Sequence, residues 1–243
     1  MASFEIVTTA ERPDLHPQFD DAFASSWPEF IFHDPVSRHF VPLVQERFAR
    51  FDVTVVNDGV VVAGGWAVPL AWDATIPNLP DGYDDALVRA FAVEKTITDT
   101  LCVMAVAVAP DWRGHALSSL VLNELRRRAA AAGLARVIAP VRPTLKASYP
   151  LTPMATFARW RRPDGSHLDP WIRVHERLGA TILVPAPRSM IINGSVAQWE
   201  EWASMSFPES GAYVVPGALD LVMIDRESDA GIHLEPNIWM RHV

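Results

Sequence analysis

The residues best suited to chemistry form one run, Pro110-Asp111-Trp112-Arg113-Gly114-His115-Ala116-Leu117-Ser118-Ser119. It follows the apolar segment Leu101 to Ala109 and leads into a helical pattern whose Leu117, Leu120, Val121 and Leu125 form one stripe. A strand that turns sharply into a helix leaves several backbone N–H groups without intrahelical acceptors, at the positive end of the helix dipole. That arrangement binds phosphate. Ser118 and Ser119 add hydroxyl donors. A second reactive position is His175, whose unperturbed pKa of ~6.5 suits proton transfer near neutrality. The patterns G-x-S-x-G, G-x-G-x-x-G and G-x-x-x-x-G-K-[ST] do not occur, and His33, Asp34, His39, His167, His233 and His242 lack metal-ligand spacing.

The elements that must position these residues follow from periodicity. Phe4 to Val7 reads as a strand, and Leu15, Phe19, Phe23 and Trp27 predict one helix over Pro13 to Phe30. A second helical face carries Phe40, Leu43, Val44 and Phe48. Val53 to Val56, the turn Asn57-Asp58-Gly59 and Val60 to Ala63 predict a β-hairpin. Gly64 and Gly65 then predict a bulge or a close backbone approach. Asp84 to Lys95 reads as a helix and Leu101 to Ala109 as a strand buried on both faces. The Leu117 helix stops at Gly133, and Arg136 to Pro140 completes a βαβ-type unit. Asp169-Pro170 is an N-cap opening the helix Trp171 to Leu178. Thr181 to Val184 and Ser189 to Ile192 read as two strands, Val196 to Ala203 as a helix, and Tyr213 to Val215 and Leu221 to Ile224 as further strands.

From Val106 to Leu120 the chain resembles the acyl-CoA-binding motif of the GNAT superfamily of N-acyltransferases, in which a strand ending V-x-V-x-P precedes R/Q-x-x-G-x-G/A. Ala116 and Ser118 stand at the motif's glycine positions. Both are small, so this departure predicts weaker rather than abolished binding. The resemblance implies an α/β fold, a mixed central sheet flanked by helices, in a single domain over 1–243 with an irregular insertion at 142–169 and a β-rich C-terminal extension over 200–243. It implies acetyl-CoA as acyl donor and no metal. Val106, Ala107 and Val108 would align pantetheine by their backbone, and Arg113, Gly114, His115, Ala116, Leu117, Ser118 and Ser119 would hold the pyrophosphate.

Val174 to Thr181 is similar to the family's helix-to-strand segment Y-e-k-l-G-F, whose tyrosine often protonates the departing thiolate; here that position is His175. The attacking amine must also lose a proton. The resemblance points to a carboxylate near the central strand, with Asp99 at its start and Glu94 before it; Tyr149 in the Pro-rich insertion is another candidate. Arg159 to Arg162 could meet the nucleotide end of CoA, and Trp66, Trp72, Trp160 and Trp171 flank the implied substrate side. The expected reaction is acyl transfer to an amine, on a small molecule or a peptide, by direct attack in a ternary complex. A non-catalytic CoA-binding module and an O-acyltransferase are the alternatives, and a homodimer is compatible with the extra segments.

Composition narrows the partners. The chain has 243 residues, 49% of them hydrophobic, and 21 basic against 29 acidic residues give a net charge of −8. Such a chain buries about 70% or more of its unfolded surface. The acidic balance argues against a general phosphate-backbone binder of nucleic acid and is compatible with a cationic substrate. One cysteine, Cys102, permits no internal disulfide, so a cytoplasmic setting is expected. No apolar run approaches the ~20 residues that span a bilayer.

Overall fold

Asp58 and Gly59 adopt positive φ, 50° and 82°, and close the expected hairpin in the turn geometry that matches the twist of paired strands. The computed structural model describes residues 4–23, 26–92 and 98–242. The hairpin joins β2 (Asp52–Asn57) to β3 (Val60–Leu70), with β1 (Phe4–Thr8) on the outer edge of β2 and β4 (Thr100–Val108) beside β3, all antiparallel. Helix α4 (Leu117–Ala131) then crosses to β5 (Arg136–Val141), which runs parallel to β4. Among the described residues nine strands make one mixed sheet in the order β1-β2-β3-β4-β5, then β9 (Ala230–His242), β8 (Val222–Asp225) and β7 (Gly211–Tyr213). The last strand, β6 (Thr181–Gly194), pairs with β9 over most of its length.

Several segments differ from the sequence expectation. The helix predicted over Pro13 to Phe30 is a 3-10 turn (Pro13–Leu15), α1 (His16–Phe23) and a second 3-10 turn (Glu29–His33). Pro28 is extended, and a proline neither donates to a helix nor lets its predecessor remain helical. Next, α2 (Pro35–Arg47) starts where the Asp34 carboxylate accepts from the Ser37 N–H at 2.6 Å. The helix predicted over Asp84 to Lys95 is α3 (Tyr83–Ala92), and Glu94 lies outside the described residues. The 142–169 segment is less irregular than expected. It holds a 3-10 turn (Lys146–Ser148), α5 (Met154–Phe157) and a bridge between Arg161 and His167, with Lys146, Phe157 and His167 buried.

Asp169 caps α6 (Pro170–Arg177) through the N–H groups of Trp171 and Ile172, and Ser195 and Gln198 form a capping box on α7 (Val196–Ala203). The two strands predicted after Gly179 are the single β6, interrupted by register shifts near Leu183 and between Ala186 and Met190. The 200–243 stretch is not an appendage: β9 lies inside the sheet, with β6 along one edge and β5 and β8 sharing the other.

Gly64 and Gly65 fix which helices cover which face. A Cβ at Gly64 would collide with the Phe19 ring of α1, whereas one at Gly65 would sit 2.5 Å from the Ala105 carbonyl and 3.0 Å from Val121 of α4. Neighbouring strand residues point to opposite faces, so α1 covers one face and α4 the other. Trp66, on the Gly64 side, meets Tyr83 of α3 edge-on, while α6 packs beside α4. The two glycines pair regularly, and the bulge lies instead on the partner strand, opposite Trp66 and Ala67. Pairing moves from Trp66 with Ala105 to Ala67 with Val103, leaving Met104 unmatched. Among the described residues no helix is long and apolar enough to cross a membrane.

Candidate active site

The sheet opens where β4 meets β5. Parallel pairing is confined to Thr100 with Arg136, Leu101 with Val137 and Cys102 with Ile138; beyond that, β4 continues along β3 while β5 follows β9. The resulting seam is lined by Met104 to Val108 on one wall and Ala139 to Arg142 on the other, in a cleft of about 1280 Å³. Past Cys102 the β5-facing edge of β4 has lost its strand partner. Its backbone groups can therefore pair with an extended ligand.

At one mouth of the seam the turn after β4 exposes a row of amides. Arg113 N–H bonds the Pro110 carbonyl, and Ser119 and Leu120 N–H bond that of Ala116, but the N–H groups of Gly114, His115, Ala116, Leu117 and Ser118 have no acceptor among the described residues. Gly114 (φ 87°) and Ala116 (φ 57°) are both left-handed, which turns the chain into α4. Ala116 occupies this conformation despite its Cβ, at the position where the resembled motif carries glycine. Arg113, Gly114, Ala116, Leu117 and Ser118 line the cleft, as do Val106, Ala107 and Val108. His115 and Ser119 do not; the His115 ring turns back to the Trp112 carbonyl at 3.2 Å.

His175, on α6, also lines the cleft but is 1% exposed. Its Nδ1 lies 2.9 Å from Nε2 of His242, and its ring meets Trp171 edge-on at 4.4 Å. Burial, helped by the neighbouring His242, pushes the His175 pKa down to about 3, and burial with the Arg126 charge lowers His242 to about 4. The proximity of an ordinary histidine pKa to neutrality, which made His175 attractive from sequence, therefore does not hold in the folded chain. Its resting form is the neutral imidazole. Nε2 of His175 is buried without a hydrogen-bond partner.

The opposite mouth is built from residues that spacing alone does not single out. Ile138 and Pro140 pair with Arg241 and Trp239, whose face is that of α3, because the Trp239 Nε1–H bonds the Pro80 carbonyl and Ser189 links Asn237 to the Tyr83 N–H. Arg142 follows on this face. Its Nε donates to Glu235 Oε1 at 2.5 Å and one Nη to the Gly217 carbonyl at 2.6 Å; His233 Nε2 lies 2.6 Å from the other Glu235 oxygen. Glu235 is fully buried; burial pushes its pKa up, but the Arg142 charge and the His233 bond outweigh this and hold it below the usual range. Deeper on the same face, the Asp34 and Asp84 carboxyls are electrostatic neighbours. Burial and the Asp34 charge raise Asp84 to about 8, and burial raises Asp34 also. Ser37 and Tyr83, which stand beside this pair, line the cleft. The H-x-E alternation of His233 and Glu235 is legible as one strand face, but their partner lies 93 positions away in sequence.

The remaining predicted residues lie elsewhere. Asp99 is at the far end of β4 from the cradle, where it accepts from Trp72 N–H and Thr100 Oγ1 and pairs with Arg136 at 2.5 Å. Burial opposes ionisation there, but these bonds and the Arg136 charge hold the carboxyl below its usual range. Tyr149 packs edge-on against Trp160 at 4.8 Å, 40% exposed and outside the cleft lining. Arg159 and Arg161 border a separate depression of about 420 Å³, and Arg161 lies 3.6 Å from Glu176. Of the four tryptophans considered, Trp66 and Trp171 line the seam, whereas Trp72 is buried with its Nε1–H on the Thr75 carbonyl.

A sheet split between a bulged β4 and β5, with an amide cradle at the following helix, defines an acyl-CoA-dependent transferase fold. The chain is 30% identical, over 98% of its length and 93% of the relative's, to arginine N-acetyltransferase avaD of Aspergillus versicolor. No family model matches. The loading GNATL domain of CurA from Lyngbya majuscula superposes with a TM-score of 0.66 at 12% identity, covering 99% of this chain and 97% of that one. The GphF GNAT-like decarboxylase in complex with isobutyryl-CoA gives 0.60 at 16% identity, covering 98% of both chains. The chain belongs to the GNAT superfamily of acyl-CoA-dependent N-acyltransferases. The seam fits the donor: five unbonded amides stand at the small-residue turn where a pyrophosphate would lie, and a free strand edge where pantetheine would lie.

Proposed function

We propose that this protein acetylates an amine of arginine, with acetyl-CoA as donor. The observation that carries the reading is the two-faced seam: the amide cradle opens on the α4 face, and a second mouth opens on the α1 to α3 face. Donor and acceptor would then enter from opposite sides and meet beside Met104. The acetyl thioester supplies the electrophilic carbonyl. The amides of Gly114 to Ser118 would hold the pyrophosphate, and Val106 to Val108 would align the pantetheine arm.

The acceptor mouth carries the exposed carboxylate of Glu29 at its rim and, behind Ser37, the Asp34 and Asp84 pair, in which Asp84 keeps its proton near neutrality. A cationic acceptor would be drawn to it. The nitrogen loses one proton as it attacks and the sulfur gains one as it leaves, so the transfer is neutral overall. In the tautomer in which His242 Nε2–H donates to His175 Nδ1, the Nε2–H of neutral His175 would be free to hydrogen-bond the departing sulfur. It would stabilise the thiolate without surrendering its proton, and the proton that the sulfur gains would be the one that the nitrogen loses, passed on through solvent. A cytoplasmic setting belongs to the same proposal, supported by the lone, buried Cys102.

The test is to incubate the purified chain with acetyl-CoA, a thiol reagent and L-arginine, following free CoA and the acetylated product by mass. Saturable, arginine-dependent release is expected. Release with other amines but not with arginine would overturn the acceptor assignment.

A further inference from the structure

On the acceptor side of the seam one cation is held in place and left partly unused. Arg142 extends β5 on the face away from the phosphate cradle and lines the cleft. Two of its nitrogens are committed, Nε to Glu235 and one Nη to the Gly217 carbonyl, while the other Nη has no acceptor among the described residues. The anchoring is stiff. Glu235 is fully buried and its second oxygen is taken by His233, which is itself buried and lies 3.3 Å from the Leu221 carbonyl. Gly217 sits where an added Cβ would come within 3.0 Å of Pro28, just before the rim turn Glu29–His33. A guanidinium fixed on two sides and open on the third presents a planar donor edge at little entropic cost, the geometry that recognises a carboxylate.

We infer that Arg142 binds the carboxylate of the acceptor, making this an enzyme for free amino acids rather than for simple amines. The inference rests on the acceptor reading given above and adds to it the group that decides specificity. Arg142 is a binding residue here; Glu235 and His233 act through it and are positioning residues. Neither phosphate nor thioester chemistry accounts for a cation on this face, since the cradle lies on the other.

The experiment compares kcat/KM for acceptor pairs that differ only in the carboxylate: L-arginine with agmatine, L-ornithine with putrescine, L-lysine with cadaverine. The unmodified protein should favour the amino acid of its best pair by about tenfold or more, because a site built for a polar group rejects the analogue that lacks it. Arg142→Gln should collapse that ratio toward one, mainly through KM. Because this change leaves Glu235 half-paired in the interior, Arg142→Gln/Glu235→Gln is measured beside it, with folding followed by thermal melting. The double variant should show the same loss of discrimination.

An unmodified protein with no amino-acid preference in any pair, or a ratio unaltered in a folded Arg142 variant, would overturn the proposal. Arginine turnover without carboxylate preference would sink Arg142 and leave the acceptor reading standing. An Arg142-dependent preference confined to ornithine or lysine would do the reverse. No turnover with any of the six amines would overturn both.

Discussion

Nδ1 of His175 and Nε2 of His242 face one another at 2.9 Å in the interior, so a single proton joins two neutral rings. Their folded pKa values, about 3 and about 4, lie below the ordinary histidine value of 6.5. The unfolded chain therefore binds more protons between these limits, and the pair's contribution to stability is present above pH 6.5 and lost as pH falls. The stability advantage of the unmodified chain over His175→Gln should shrink by about 1 kcal/mol per pH unit between pH 6.5 and 4, in urea unfolding. A pH-independent difference would mean that the ring is not held neutral.

Asp84 should act in the opposite sense. Its folded pKa of about 8 exceeds the ordinary 3.8, so the folded chain binds the extra proton and loses stability as pH rises from about 4 to 8. Asp84→Asn should flatten that loss. Relative to the unmodified protein, it should be more favourable by about 2 kcal/mol at pH 8 than at pH 5.5, in the same unfolding assay.

Ala116 holds φ at 57°, a conformation that costs a residue with a Cβ about 1 kcal/mol or more. Ala116→Gly should therefore stabilise the fold by up to about 1 kcal/mol and leave acetyl-CoA affinity the same or tighter. Ala116→Val, β-branched at the same position, should destabilise it and raise the KM for acetyl-CoA roughly tenfold, about 1.4 kcal/mol of binding. Thermal melting and donor titration check both.

Asp99 is consumed by Arg136, Thr100 and the Trp72 N–H at the closed end of the β4–β5 pairing. Asp99→Asn should lower stability by about 1 kcal/mol while leaving kcat and its pH profile unaltered. A loss of turnover with an acidic limb displaced would restore Asp99 as the base.

The legible part of the molecule is local. The Asn57-Asp58-Gly59 hairpin, the Gly64-Gly65 close approach and the strand-turn-helix through Gly114 each depend on neighbours in sequence, and the structure contains them. Strand β9 was hidden because Ala230–His242 mixes charged and apolar residues, reflecting a central strand whose two edges and two faces meet different surroundings. The acceptor side was hidden for a related reason. Arg142 acquires its meaning from Glu235 and Gly217, and Asp34 from Asp84, partners that only the folded sheet brings together. Burial likewise overrode the ordinary chemistry of His175, which no spacing rule records.

The confinement of β4–β5 pairing to residues 100–102 and 136–138 has a mechanical side. One half-sheet, β1 to β4, and the other, β5 to β9, pair directly only along that short run, with α4 bridging them on one face and α3 on the other. A molecule seated in the wedge would act as a keystone, tying the halves together through β4 backbone groups that have no strand partner on that edge. Acetyl-CoA should then raise the melting temperature well beyond what its buried area suggests, and hydrogen exchange at Val106 and Val108 should slow most. The gap in the sheet that gives the reagents room to meet is thus also the place where a bound donor would add strand-like pairing that the sheet itself lacks.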